Sequence, residues 1–116
     1  MKIFVYGTLK KGYSNNQLLS RTDSKFISEH ILPGYKLFHA GFPVAMPSDG
    51  TSIKGEIWEI DPNGPALGYL DRLESNGYMY NRTQVDDLSL YVGHPRFWER
   101  ELPECPNDNN VYYWDR

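Results

Sequence analysis

Glu74 combines a reactive carboxylate with a position on the apolar face of a predicted helix. At about 100° per residue, a helix over residues 62–74 places Glu74 between the directions of Leu67 and Leu70, and Arg72 on the opposite side. The apolar stripe consists of Ala66, Leu67, Leu70 and Leu73. Desolvation there would raise the pKa of a carboxyl group, which suits a general acid/base near neutrality. The other interpretation is a frayed, solvated helix end.

A second candidate is the turn Tyr6-Gly7-Thr8-Leu9, which follows an apolar strand directly. In one interpretation Gly7 only closes a tight turn by adopting a positive φ. In the other, the turn presents backbone N–H groups to an anion. The tetrapeptide alone leaves both interpretations open.

No other group of residues has the spacing of a known catalytic or metal site. His30, His39 and His94 match neither a metal-binding pattern nor a catalytic triad. Cys105 is the single cysteine and lies in the polar run "PECPNDNN", where a structural or incidental thiol is expected. "GTLKKG" lacks the Lys and Ser/Thr that a phosphate loop needs after its second glycine. We therefore predict neither a metal nor a cofactor.

Composition indicates one globular domain over residues 1–116. Apolar residues make up 40% of the chain and charged residues 23%, as is usual for soluble domains. A net charge of −3 and the single basic doublet Lys10-Lys11 argue against nucleic-acid binding. No leader and no membrane-spanning stretch is recognised, so a cytoplasmic protein is expected. The sequence does not predict its oligomeric state.

Local patterns predict an α+β fold with few, short helices. Strands are expected at residues 2–6, 25–31, 35–38, 52–60, 77–87 and 111–116, with "GFPVAMP" (41–47) as an edge strand or loop. A short helix should follow Ser14 or Asn15, and the helix over residues 62–74 should be capped by Asp61, with Pro62 at its first position. Residues 88–110 are predicted to form a long loop. The strands suggest a mixed or antiparallel sheet, curled toward a barrel.

Four segments together resemble the gamma-glutamylcyclotransferase-like proteins, which include the gamma-glutamylamine cyclotransferases. The family pattern has Tyr-Gly-(Thr/Ser)-Leu near its start and Leu-Asp-x-x-Glu before x-Tyr-x-Arg. The matching segments are "VYGTLKKGYSNN" (5–16), "GFPVAMP" (41–47), "IKGEIWEID" (53–61) and "LDRLESNGYMYNR" (70–82). They occur in family order and at family-like spacing.

The resemblance implies a small, mixed, barrel-like sheet with flanking helices, and it assigns site residues. Backbone amides of the Tyr6–Leu9 turn (Tyr6, Gly7, Thr8 and Leu9) would hold the alpha end of a glutamyl group. Glu74 would match the catalytic glutamate, and Tyr80 the tyrosine shortly after it. Tyr112, or its neighbour Tyr113, would match a tyrosine on a late strand.

Two departures from the family pattern affect the site. Ser75 stands where the family often has glycine, and residues 88–110 match no family segment that we recognise. The region that selects the substrate is therefore not defined by the resemblance.

The implied reaction converts a gamma-glutamyl amine or peptide to 5-oxoproline and a free amine, with Glu74 as general acid/base. One alternative is a non-catalytic protein that binds or sequesters a small ligand in the same pocket. Another keeps the enzyme but changes the substrate to a different glutamyl conjugate, such as one carried by an acyl carrier.

Overall fold

The computed structural model describes residues 1–98 and 100–115, which form a mixed β-sheet with two short α-helices packed on it. The strands are β1 (Lys2–Val5), β2 (Lys25–His39), β3 (Pro43–Glu59), β4 (Tyr80–Val85), β5 (Leu88–Gly93), β6 (Asn107–Asp108) and β7 (Val111–Tyr112). The helices are α1 (Gln17–Ser20) and α2 (Pro65–Leu73), and a 3₁₀ helix spans Pro95–Phe97. Within the described residues, neither α-helix is long and apolar enough to cross a membrane.

Strand β3 is the centre of the sheet. The sheet runs in the order β4-β5-β1-β3-β7-β6, and β2 pairs with β3 as well. β1 is antiparallel to β3 and parallel to β5, so the sheet is mixed. The expected α+β class is confirmed. The sheet is open, so the expected barrel-like shape describes it only loosely.

After the exposed Lys2, strand β1 is buried on both faces, as its apolar run Ile3-Phe4-Val5 predicts. Ile3 and Val5 pack with Leu19 of α1 and Leu70 of α2. Phe4 and the following Tyr6 point the other way and belong to a second core cluster. Because successive side chains alternate between faces, this strand joins both parts of the core and delivers Tyr6 to the start of the turn.

The hairpin of β2 and β3 is longer than predicted. The expected strands at 25–31 and 35–38 are one strand, whose register with β3 shifts between Pro33 and Tyr35. "GFPVAMP" is mostly strand, since Pro43–Pro47 pairs with Tyr35–His39. The strand expected at 52–60 is confirmed up to Glu59, as the second half of β3.

The prediction of a long loop at 88–110 is wrong. β5 begins at Leu88, after a two-residue connection in which Asp86 has a φ of 55°. The 3₁₀ helix and β6 occupy parts of the remaining segment. Of the last predicted strand, 111–116, the structure contains β7, and residue 116 lies outside the described part of the chain.

Helix α2 begins later than predicted. Its N-cap is Gly64 and its first residue is Pro65. The Asp61 carboxylate instead accepts a hydrogen bond from the Asn63 N–H at 2.9 Å, which closes a turn ahead of the helix. Ala66 and Leu70 are buried as the apolar stripe predicts, whereas Leu73 at the last turn is 40% exposed.

Candidate active site

A cavity of about 360 Å³ opens where the end of β1, the start of β3 and the end of α2 meet. Its size falls at the lower end of the range for small-molecule sites. Six of the predicted site residues line it: Tyr6, Gly7, Thr8, Leu9, Glu74 and Tyr80. The remaining lining residues are Phe4, Val5, Asn15, Gly41, Phe42, Pro43, Leu73, Ser75, Met79, Tyr91 and Trp114.

Hydrogen bonds fix the turn after β1 through its carbonyl groups. The Lys10 N–H donates to the Gly7 carbonyl at 3.2 Å, and the Asn15 N–H donates to the Thr8 carbonyl at 2.9 Å. The side-chain amide of Asn16 donates to the Leu9 carbonyl at 2.7 Å. Within the described part of the chain, the N–H groups of Gly7, Thr8 and Leu9 donate to no acceptor. This leaves preorganised donors at the cavity wall.

Close packing, rather than a positive φ, requires glycine at position 7. Gly7 is not among the glycines with positive φ. A Cβ atom built on it would lie 2.6 Å from Cγ of Pro43, well inside van der Waals contact. Pro43 is itself held in place, because its carbonyl accepts a hydrogen bond from the Tyr80 hydroxyl at 2.5 Å.

Glu74 occupies the C-terminal end of α2, at the cavity wall. Its N–H donates to the Leu70 carbonyl at 2.9 Å, which completes the last helical turn. The side chain is half-buried, and no described residue gives its carboxylate a hydrogen bond or an ion pair. Burial raises the pKa of the carboxyl group to about 7. A carboxyl group with this pKa can both accept and return a proton near neutrality.

The residue after Glu74 ends the helix. Ser75 has a φ of 48° and donates its N–H to the Arg72 carbonyl, while the Asn76 N–H donates to the Asp71 carbonyl at 2.9 Å. These two bonds form a Schellman motif, in which the residue with positive φ is usually glycine. Ser75 thus takes a conformation that glycine adopts more easily. This gives a physical reason for glycine at this position, and nothing in the structure explains the serine.

Three buried tyrosines surround Glu74, and each uses its hydroxyl proton inside the protein. Tyr6 donates to the Tyr91 carbonyl, Tyr80 to the Pro43 carbonyl, and Tyr91 to the Asp71 carboxylate at 2.5 Å. Burial raises the pKa of each phenol, and the charge of Glu74 adds to this. The three phenols therefore stay neutral and connect β1, β3, β4, β5 and α2 around the carboxylate.

Tyr112 is not brought to this cavity. Its hydroxyl donates to the Glu104 carboxylate at 2.9 Å, and Glu104 also pairs with Lys36 at 2.7 Å. Trp114, two residues later, lines the cavity instead. Phe42 and Tyr91 also line the cavity, although neither was among the predicted site residues. Phe42 lies within a recognised segment, but nothing in the sequence marks Tyr91, because its strand was expected to be a loop.

The described residues contain no cluster of three or more His, Cys, Asp or Glu side chains that could hold a metal ion. Glu74 is the one charged residue among those that line the cavity. The arrangement suits proton transfer by one carboxyl group beside an anion-binding turn.

Comparison with known proteins identifies the family of the chain. Residues 3–114 match the family model described as "Gamma-glutamyl cyclotransferase, AIG2-like". The gamma-glutamylcyclotransferase family protein ytfP of Citrobacter rodentium is 35% identical over 86 residues, which cover 73% of this chain and 71% of that protein. The gamma-glutamylaminecyclotransferase A of Danio rerio is 34% identical over 103 residues, which cover 81% of this chain and 62% of that protein.

A solved structure shows the same fold. The crystal structure of an aig2-like protein from Mus musculus superposes with a TM-score of 0.68 at 27% identity, covering 99% of this chain and 95% of that chain. Both the family match and the relatives extend over most of the described residues. The chain therefore belongs to the gamma-glutamyl cyclotransferase, AIG2-like family.

Proposed function

We propose that the protein is a cyclotransferase that converts a gamma-glutamyl amine or peptide to 5-oxoproline and a free amine. The observation that carries this proposal is the position of Glu74, whose pKa is about 7, in the same cavity as the unpaired N–H groups of Gly7, Thr8 and Leu9. Family membership supports the same reaction class.

In the proposed complex, the turn holds the substrate through the negative charge on the substrate. The three N–H groups donate to the α-carboxylate of the glutamyl group or to the oxyanion that forms at its γ-carbonyl. The α-ammonium group then lies toward Glu74. The tyrosine hydroxyls already donate hydrogen bonds within the protein. Their role is therefore to fix the relative positions of Glu74, Pro43 and the turn.

Glu74 moves the protons. It takes a proton from the α-ammonium group, and the free amine attacks the γ-carbonyl carbon to close a five-membered ring. The protonated Glu74 then donates to the leaving nitrogen as its bond to carbon breaks. The α-nitrogen ends as a lactam N–H, and the protons that it loses pass through Glu74 to the released amine. Ring closure is intramolecular and redox-neutral, so the proposal assigns no cofactor and no covalent intermediate.

Glu74→Gln tests the assignment directly. Glutamine keeps the packing beside Leu70 but cannot accept the ammonium proton. The rate of 5-oxoproline release from a panel of gamma-glutamyl amines and peptides should fall by about 10²–10⁴-fold, the usual contribution of a positioned acid/base group. The matched control is Glu59→Gln, because Glu59 is exposed and outside the cavity. A folded Glu74→Gln protein with near wild-type activity would refute the mechanism.

The pH profile gives an independent test. Because Glu74 must be ionised to accept the proton, kcat/KM of the wild-type protein should rise with pH through about 7. If kcat/KM were already independent of pH under mildly acidic conditions, Glu74 would be an ordinary exposed carboxylate.

The binding-only alternative makes a different prediction. A protein that merely sequesters a ligand would yield no 5-oxoproline from any member of the panel. Native mass spectrometry of the purified protein would then show an unmodified small molecule retained in the cavity.

A further inference from the structure

One charged side chain is buried in the sheet and takes no part in the proposed proton transfer. Among the described residues, Glu56 is the charged side chain that is almost fully buried, with 9% of it exposed. It lies on β3 and pairs in register with Val5, the last residue of β1. A carboxylate that loses its hydration needs hydrogen bonds and opposite charge inside the protein. The groups that bind it therefore indicate its role.

The Glu56 carboxylate binds the chain segment that follows the Tyr6–Leu9 turn. Its Oε1 atom accepts a hydrogen bond from the Lys11 N–H at 3.0 Å and another from the Trp58 indole N–H at 3.1 Å. Trp58 lies two residues further along β3, so its bond fixes the direction of the carboxylate. The bond from Lys11 attaches the segment after the turn to the central strand of the sheet. Hydrogen bonds to an ionised acceptor are among the stronger ones in proteins.

The negative charge of Glu56 has a cation near it. Burial lowers the pKa of the Lys10 ammonium group, and the charge of Glu56 acts in the opposite direction, as does that of Asp115, whereas Lys54 adds to the lowering. The same ammonium group donates to the Trp114 carbonyl at 2.8 Å. The buried carboxylate therefore does not act alone on an anion that is bound at the turn.

The segment that Glu56 holds also fixes the turn. Each carbonyl group of residues 7–9 accepts a hydrogen bond from a donor in residues 10–16. The carbonyl of one residue and the N–H of the next lie in one rigid plane. Fixing the carbonyl groups of Gly7 and Thr8 therefore also fixes the directions of the Thr8 and Leu9 N–H groups, which the proposed function assigns to the substrate.

We propose that Glu56 is a positioning residue, which acts through the Lys11 N–H to hold the N–H groups of the turn in the geometry that binds the substrate. This inference rests on the proposed function and adds a residue that does not line the cavity. The segment is also attached to the Trp114 carbonyl, by the Lys10 ammonium group and the Tyr13 hydroxyl. Loss of the Glu56 contact should therefore loosen the turn without releasing it. We expect activity to fall about tenfold, less than the roughly 10²-fold of a full 1 Å displacement.

Two variants remove the same hydrogen bond from its two sides. Glu56→Met deletes the acceptor and keeps the length of the side chain. Lys11→Pro deletes the donor at a position that suits proline. The Tyr13 N–H donates to the Lys10 carbonyl at 3.1 Å and Gly12 has a φ of 83°, as in a type II turn with Lys11 at the position where proline is common.

Each variant should lower kcat/KM for 5-oxoproline release by about tenfold. Because both remove one contact, the double variant should also lose about tenfold, whereas independent changes would multiply to about a hundredfold. Glu56→Gln keeps an acceptor oxygen and should retain kcat/KM within about threefold. Lys11→Ala removes an exposed side chain but keeps the N–H, and should leave kcat/KM unchanged.

These measurements separate positioning from a contribution to stability alone, which would lower urea midpoints but not the kcat/KM of folded protein. Wild-type kcat/KM in a folded Glu56→Met or Lys11→Pro protein would overturn the inference and leave the reaction standing. An equal loss in Glu56→Gln would overturn it as well. If Glu56→Met does not fold, Lys11→Pro decides, because it leaves the buried carboxylate with Trp58. No 5-oxoproline from the wild-type protein with any gamma-glutamyl amine or peptide would overturn the proposed function together with the inference.

Discussion

Gly7→Ala probes the contact that positions the proposed anion-binding turn. The φ of Gly7 is outside the left-handed region, so the backbone itself can accept alanine. The added Cβ, however, would lie 2.6 Å from Cγ of Pro43, and ordinary contact begins at 3.4 Å. The two groups must therefore separate by 3.4 − 2.6 = 0.8 Å at least. Pro43 has little freedom to move, because it is buried, pairs with His39 and accepts the Tyr80 hydrogen bond.

The turn must then absorb most of this displacement. A shift of about 1 Å in a positioning group reduces activity by roughly 10²-fold, so kcat/KM should fall on that order. Overpacking should also lower the free energy of unfolding by about 1–3 kcal/mol.

Activity measured by 5-oxoproline release and stability measured by urea unfolding would check both expectations. Gly68→Ala is the matched control: Gly68 lies in α2 with no atom within 4 Å of the added Cβ. It should keep full activity and gain about 0.5–1 kcal/mol of stability. A folded Gly7→Ala protein with wild-type kcat/KM would refute the reasoning.

Three further predictions concern the end of α2. Because the native pKa of Glu74 is about 7 and its ordinary value 4.5, the native state holds this proton more tightly. This group's contribution to stability is therefore greatest below the ordinary pKa and declines as pH rises through about 7, by at most about 3 kcal/mol. Glu74→Gln should abolish this decline in urea titrations at several pH values. Tyr91→Phe should destabilise by about 1.5–3 kcal/mol, because it removes the hydrogen bond to the Asp71 carboxylate. Asp71→Asn keeps an acceptor oxygen and should lower the free energy of unfolding by less than about 1 kcal/mol. Equal urea midpoints for Tyr91→Phe and Asp71→Asn would contradict the role given to this hydrogen bond. Ser75→Gly should raise the thermal midpoint, since glycine relieves the positive φ and gains about 0.5–1 kcal/mol.

The parts of the site that depend on local sequence could be predicted. The position of Glu74 on the apolar stripe follows from helix periodicity, and the turn at Gly7 follows directly from the apolar run that ends the first strand. The start of α2, predicted at Pro62, was wrong, because Pro65 is equally compatible with a first helical position. Tertiary packing selects Pro65, with Ala66 and Leu70 buried against β1.

The parts that depend on distant segments could not be predicted. Nothing near Gly7 in the chain shows that the ring of Pro43 will pack against it, and nothing near Glu74 shows that Tyr91 will bind Asp71. The β4–β5 hairpin was missed because its connection, Asp86-Asp87, lacks the glycine that marks most tight turns. With β5 unrecognised, the lining role of Tyr91 had no basis in the sequence.

The pairing of β3 also bears on how the protein folds. β2 and β3 are joined by residues 40–42 and can form a hairpin from nearby segments. The parallel pairs β1–β5 and β3–β7 join segments far apart in the chain, and such contacts close slowly. The cavity requires both Tyr6 and Trp114. We therefore expect enzymatic activity to return only in the last kinetic phase of refolding, after most of the circular dichroism signal of the strands has recovered. Activity would then report completion of the whole fold rather than formation of any one element.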